Sequence, residues 1–260
     1  MSLYRVAPDK LERVSRTTFA AERLLERKDL QRMLRQDIKP IGDDLMVIAE
    51  EFGEWEDSNR RIDLLCLSAS GGLVVVEIKR TEDGGHMELQ AIRYAAMVSS
   101  MTLEQAIKVY SRMCGEDETV ARSEVLTFLQ LDSAEEEELT GDVGIVLVSA
   151  DFSTELTTAV LWLNKLELDI KCIRLRPYRM GNEILIDATQ IIPLPETVDY
   201  EVKVRAQEKK RKVAGARQEV FRKYWAQLID RSRVRTQLLA NRTTTTDHWI
   251  SAGIGRMDLG

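Results

Sequence analysis

Two short apolar segments carry the acids and the base this chain could use for catalysis: Arg61-Ile62-Asp63-Leu64-Leu65 and Leu73-Val74-Val75-Val76-Glu77-Ile78-Lys79. Both have the composition of strands, and Ser68-Ala69-Ser70-Gly71-Gly72 between them is a run of turn formers, so a hairpin is predicted. Strand alternation puts Glu77 and Lys79 on one face and Val74, Val76 and Ile78 on the other. A hairpin symmetric about Ser70 sets Leu67 opposite Leu73 and Asp63 opposite Glu77. Two carboxylates roughly 5 Å apart on one face repel each other, more harshly when Leu, Ile and Val surround them. Such a pair needs a cation or a raised carboxyl pKa. Lys79 supplies one charge, but a divalent ion suits the pair better. Magnesium is commonly held by one or two carboxylates plus waters and phosphate oxygens. It could stabilise charge on a phosphodiester and acidify a bound water. Lys79 would then orient or help deprotonate the attacking water, or screen the phosphorane charge. The plainer reading is a structural Asp/Glu/Lys network on an edge strand; the three residues together at this spacing favour a site.

Asp63 followed fourteen positions later by Glu77-x-Lys79 resembles the D…(D/E)-x-K signature of the PD-(D/E)XK nuclease superfamily. The strings RIDLL and LVVVEIK are particularly similar to its NucS-like, DUF91-type branch. The resemblance implies a restriction-endonuclease-like α-β-β-β-α-β core and metal-dependent hydrolysis of DNA phosphodiesters. Asp63 and Glu77 would be metal ligands and Lys79 the catalytic lysine. Gln90 and Tyr94 lie four apart, hence on one face of the following helix, and match the Q-x-x-x-Y pattern of several branches. This implies that Gln90 supports the site and that Tyr94 contacts substrate or orients Lys79; read without the resemblance, they are a solvated Gln and a core Tyr. The superfamily often draws an acid from its first helix. Glu26, four residues before Leu30 on the Leu30/Met33/Leu34 stripe, is the candidate third metal ligand, and Glu22 its reserve. An acid on an apolar face is costly unless paired or metal-bound.

The elements that must position these residues follow from periodicity. Residues 17–36 are predicted helical, with the phase untidy at Leu24 and Leu25. Asp44 to Phe52 reads as a strand. Helices are expected over 86–100, over 102–113 with Thr102 as N-cap, and over 119–130. The acidic run Glu135-Glu136-Glu137-Glu138 reads as a solvated helix end or loop. Gly144 to Ala150 reads as a central strand, followed by a helix at 154–166 and strands near 170–178 and 183–192. This predicts an α/β fold: a lead-in over 1–16, a nuclease-like domain over 17–195 with a mixed sheet flanked by helices, and a basic helical C-terminal segment over 199–260.

The chain has 260 residues, a net charge of −6, and 44% hydrophobic and 31% charged residues. No apolar run reaches the ~18 residues of a membrane span, and the start lacks a secretory pattern; the expectation is a cytoplasmic protein with no membrane partner. Two histidines, His86 and His248, rule out multi-histidine metal chemistry. Cys66, Cys114 and Cys172 form no C-x-x-C pair and read as small core residues. Phosphate-loop and dinucleotide-binding glycine patterns are missing. His86 reads as a loop or helix-start histidine. Arg60, Arg61 and Arg80 admit either DNA contact or surface ion pairing. Trp162 and Trp225 fit helix packing.

The acidity is uneven. Residues 201–235 hold twelve Lys/Arg against four Asp/Glu, a balance of +8 that leaves −14 for the rest. Lys209-Lys210-Arg211-Lys212 reads as a solvated helix face or as a track for a phosphate backbone, giving salt-dependent, sequence-independent affinity. The segment from Phe221-Arg222-Lys223-Tyr224-Trp225 to Asp247-His248-Trp249-Ile250 resembles the opening of a small uncharacterised domain that often follows such nucleases.

The sequence therefore points to a Mg²⁺- or Mn²⁺-dependent DNA endonuclease acting by direct attack of a metal-activated water. Repair, restriction and phage defence are the settings considered, and a homodimer would suit cutting two strands. The rival is a non-catalytic nucleic-acid-binding or protein-interaction module on the same fold. An RNA-directed nuclease shares the same site chemistry.

Overall fold

Alternation of residue type around Pro8-Asp9 makes the first sixteen residues a hairpin rather than the expected lead-in. Strand β1 (Tyr4–Ala7) pairs antiparallel with β2 (Lys10–Arg13), and β3 (Ser15–Arg16) joins the main sheet. A computed structural model describes residues 2–53, 61–81, 83–131, 139–194 and 222–232, with 236, 239, 244 and 245.

The helix predicted over 17–36 forms only from Glu26. Before it the chain turns: Glu22 N–H donates to the Thr18 carbonyl at 3.1 Å and Leu24 N–H to the Phe19 carbonyl at 2.8 Å. Arg23 has φ 57°, a left-handed conformation, and Phe19 is buried in the core. A π-helical turn, Glu26–Gln31, then runs into α1 (Arg32–Gln36). Its wider hydrogen-bond ring, with Leu30 N–H on the Leu25 carbonyl, changes the rotation per residue. Leu24 and Leu25 fall off the Leu30/Leu34 stripe because they precede the helix, Leu25 being extended at its N-cap.

Strands β4 (Leu45–Phe52), β5 (Ile62–Ser68) and β6 (Leu73–Ile78) form an antiparallel meander. Next, β7 (Val143–Ser149) lies parallel to β6, and β8 (Ile170–Met180) parallel to β7. Strand β9 (Glu183–Ile192) returns antiparallel on β8. The order across the sheet is β3-β8-β7-β6-β5-β4, with β9 also on β8. Four further helices complete the unit: α2 (Met87–Val98), α3 (Leu103–Cys114), α4 (Glu118–Leu129) and α5 (Thr154–Lys165). Thr102 caps α3 through a full capping box with Gln105, and Asp117 and Ser153 cap α4 and α5.

Both sheet faces are covered, so β5, β6 and β7 read as near-continuous apolar runs. One face carries Leu65, Leu67, Val75 and Leu147 against Met87, Ala91, Ile107 and Val160. The other carries Leu64, Cys66, Val76 and Val146 against Phe19, Leu30, Leu34 and Ile41. The fold is mixed α/β, a mixed sheet flanked by helices. Cys66 and Cys172 are buried within it, and burial pushes both thiols up to about 12.

The chain divides into two compact units, Met1–Pro195 and Glu196–Gly260. In the second, residues 222–232 are helical, with Trp225 and Ile229 buried one turn apart. The acidic run 135–138 and the basic run Lys209-Lys210-Arg211-Lys212 lie outside the described residues. Among the described residues no helix is long and apolar enough to cross a membrane.

Candidate active site

The β5–β6 hairpin has the predicted register, Leu67↔Leu73 through Leu64↔Val76, and stops one residue short of Asp63 and Glu77. There the strands part. Ile78 N–H donates at 2.7 Å to Asp63 Oδ2 instead of to the neighbouring backbone. A side-chain acceptor ends the ladder, and β5 continues with β4 through Phe52↔Ile62. Asp63 is 6% exposed and Glu77 is fully buried.

Lys79 follows β6 and turns back on it. Its Nζ donates to Glu77 Oε1 at 2.8 Å and lies 3.7 Å from Glu26 Oε1. Glu26 Oε2 accepts from the Arg80 N–H at 3.0 Å. The helix start, the strand end and the chain leaving it are thereby tied together, and Glu26, the candidate third ligand, stands beside the motif lysine. Glu22 does not: it accepts from Thr17 Oγ1 at 2.7 Å and pairs with Arg179. Gln90 Nε2 donates to the Tyr94 hydroxyl at 3.0 Å. Gln90 is half-buried, while Tyr94 is buried in the core on the α2 side of the sheet. His86 immediately precedes α2 and is exposed. Arg61 reaches the Glu51 carbonyl at 3.4 Å, and Arg60 is outside the described residues.

The electrostatics follow from burial. Desolvation raises Asp63 to about 6, helped by the charges of Glu26 and Glu51 and opposed by the Ile78 N–H and Lys79. Desolvation and then the Asp63 charge raise Glu77 to about 7, against the pull of Lys79. Burial works against the Lys79 charge, but Glu77, Asp63 and Glu26 outweigh it and hold the ammonium above its usual range. The two carboxyls are coupled and lose their protons in steps that belong to the pair.

Glu51 completes the acidic group and went unread in the sequence. A bulge between Val47 and Ala49 shifts the β4–β5 register so that Glu50 faces Leu64 and Phe52 faces Ile62. Glu51 is thereby set opposite Asp63 in a left-handed conformation with φ 51°. Buried Gln31 donates to Glu51 at 3.0 Å and Glu50 at 3.3 Å, while Arg27 pairs with Glu51 at 3.2 Å. The available signal was an acidic pair interrupting an apolar strand just before Phe52. An open cleft of about 330 Å³ adjoins this end of β4, lined by Arg35, Glu50, Glu51, Arg61 and Arg112 among others.

Among the described residues no three His, Cys, Asp or Glu side chains converge into a metal-holding group. Asp63 and Glu77 offer two carboxylates, and Glu77 Oε2 is buried with no hydrogen-bond partner. An unpartnered buried carboxylate oxygen is costly, and a hard divalent ion with two protein carboxylates plus water or phosphate oxygens would satisfy it. The residues fit such an ion. No family model, no curated protein and no solved structure matches this chain.

Proposed function

We propose that this chain is a divalent-metal-dependent endonuclease that hydrolyses DNA phosphodiester bonds, built on a restriction-endonuclease-like core of the PD-(D/E)XK type. One observation carries the reading. Where β5 and β6 part, Asp63 and a fully buried Glu77 stand beside Lys79 with one Glu77 oxygen unpartnered. Buried acids with raised pKa values beside a specific charged partner are a mark of functional sites.

Asp63 and Glu77 would hold Mg²⁺ or Mn²⁺, with Glu26 the nearest further acid. When bound, the ion supplies Lewis-acid stabilisation of the phosphoryl charge and acidifies a water. Lys79 holds a proton at Nζ between Glu77 and Glu26, at the solvent-facing rim of the site, where it orients the attacking water or screens charge on the phosphate. Glu26 positions Lys79 and pins the Arg80 backbone. Asp63 fixes the exit of β6 through the Ile78 N–H. Gln90 and Tyr94 brace the helix that follows.

The test is cleavage of single-stranded, duplex, branched and mismatched DNA, with an RNA control, in manganese and in magnesium. Wild type is compared with Asp63→Asn and Lys79→Ala. Cleavage by wild type alone supports the reading and reveals the substrate class. A second reading, a non-catalytic nucleic-acid-binding or protein-interaction module, is favoured by the ion pair that already neutralises Glu77 through Lys79. Binding retained by all three proteins, with no cleavage of any substrate, selects it.

A further inference from the structure

Strands β6, β7 and β8 run parallel; β6 and β7 end level with Ile173 and Arg174, and β8 continues past them to Met180. Glu77, Leu147 and Cys172 stand in register on one face. Two residues on from Glu77 is Lys79, and two and four residues on from Cys172 are Arg174 and Arg176. Alternation puts all of them on that same face. With neighbouring strands about 4.8 Å apart, the Arg174 backbone lies about 10 Å along the edge from that of Lys79. Between them, Ser149 Oγ donates to the Thr81 carbonyl at 2.8 Å, tying the exit of β6 to β7.

Two guanidiniums here share one carboxylate. Arg176 donates through Nη2 to Asp151 Oδ2, and Arg174 Nη1 lies 3.8 Å from Asp151 Oδ1. Arg16 approaches the same carboxylate at 4.0 Å. The Arg174 and Arg176 side chains are only 18% and 14% exposed, and the Nε of each is buried without a hydrogen-bond partner. Asp187 faces Arg176 across the β8–β9 ladder, yet its Oδ2 also lacks a hydrogen-bond partner while Oδ1 accepts from Thr189. A guanidinium carries five donors in a fork shaped for a carboxylate or phosphate. With Asp151 as their shared acceptor and Asp187 facing Arg176 across the ladder, the two guanidiniums still hold buried Nε donors with no acceptor, which suits a further anion.

Resting on the nuclease reading, we infer that Arg174 and Arg176 form a phosphate subsite. It holds a backbone phosphate of the same nucleic-acid strand whose scissile phosphate lies over Glu77 and Lys79. Asp151 contacts both guanidiniums and competes with the incoming phosphate. The subsite positions the strand and reads no base, as phosphate contacts do.

The test is equilibrium binding of a fluorescent oligonucleotide in EDTA, titrated with salt, for wild type, R174Q/R176Q and D151N. The glutamine variant is expected to bind at least about tenfold more weakly whatever the sequence, with the log–log salt slope shallower by about one. D151N releases both guanidiniums, so it is expected to bind severalfold more tightly with a steeper slope. It carries the test if the glutamine variant fails to fold. A wild type that binds and cuts DNA, with affinity and slope unchanged in R174Q/R176Q, overturns the subsite alone; so does weaker or unchanged binding by D151N. A wild type that binds no nucleic acid, yet is thermally stabilised by inorganic phosphate at matched ionic strength through these two arginines, overturns the nuclease reading and the polynucleotide as ligand.

Discussion

Replacing Glu77 with Gln removes one ionisation and leaves the shape nearly unchanged, so its effect on stability must be a function of pH. The folded protein holds the Glu77 proton up to about 7, whereas an ordinary glutamate releases it near 4.5. Below about 4.5 both states are protonated and Glu77 favours neither. As pH rises, the unfolded chain ionises first, and folded-state stability falls until the folded carboxyl has also lost its proton. The displacement corresponds to about 3 kcal/mol, all of it lost by about pH 9. Glu77→Gln removes this slope: it should match wild type at acid pH and exceed it by about 3 kcal/mol at alkaline pH. With a urea m-value of about 2 kcal/mol/M, that is a midpoint difference of about 1.5 M. Urea unfolding followed by circular dichroism in EDTA, at half-unit pH steps, measures it directly. Parallel pH profiles for the two proteins would refute a buried, proton-retaining Glu77. Asp63 follows the same sign between its ordinary 3.8 and about 6 and supplies part of the residual slope.

Lys79→Ala leaves that carboxylate without its cation. It should cost about 2–3 kcal/mol at alkaline pH, below the figure for a wholly buried pair because Lys79 is partly solvated; a K79A/E77Q double variant that recovers none of the loss contradicts the pairing. Magnesium or manganese at about a hundredfold over its dissociation constant should stabilise wild type by about 3 kcal/mol. Melting at matched ionic strength should show no such gain in Asp63→Asn or Glu77→Gln. Gly84→Ala should destabilise by about 1–3 kcal/mol, because Gly84 has φ +75° and an added Cβ would lie 2.9 Å from Leu156 Cδ1; unchanged unfolding would show that the turn relaxes freely.

Much of this arrangement was legible in the sequence because its signals are local. Two apolar runs, Ile62–Ser68 and Leu73–Ile78, with a glycine-rich turn between, make a hairpin, and a register symmetric about that turn sets Asp63 level with Glu77. Thr102 and Gln105 announce the start of α3 within four residues. What was missed depends on departures from regular period. A single bulged residue in β4 brings Glu51 opposite Asp63, and a π-turn rephases the helix that presents Glu26. Their traces in the sequence, an acidic pair inside an apolar strand and a helical phase that slips at Leu24 and Leu25, do not by themselves say where the side chains go. The Arg174–Asp151–Arg176 group joins β8 to the segment after β7 through spatial adjacency alone, and the residues of the first hairpin are mostly polar and exposed, so it carries little apolar signal. The role of Lys209-Lys210-Arg211-Lys212 rests on charge count alone, since those residues lie outside the described structure.

The edge where β6 and β7 end, and which β8 crosses at Arg174, carries opposite electrostatics at its two sides. Asp63, Glu77, Glu26 and Glu51 gather beside β6, and Arg174 and Arg176 on β8. In sheets with parallel strands, ligands settle at the carboxyl ends, where the chain leaves the strands. A polyanion laid along this edge meets repulsion over β6 and attraction over β8. Strand binding should therefore be driven from the β8 side, and a cation must screen the acids before the backbone can approach Lys79. The two groups lie about 10 Å apart along the sheet. Their effects on oligonucleotide affinity in EDTA should be additive within about 0.5 kcal/mol. In that medium E77Q strengthens binding by relieving repulsion, R174Q/R176Q weakens it, and the triple variant falls at their sum. A triple variant indistinguishable from R174Q/R176Q would mean that the strand never passes over Glu77, and would separate the phosphate grip from the acidic site.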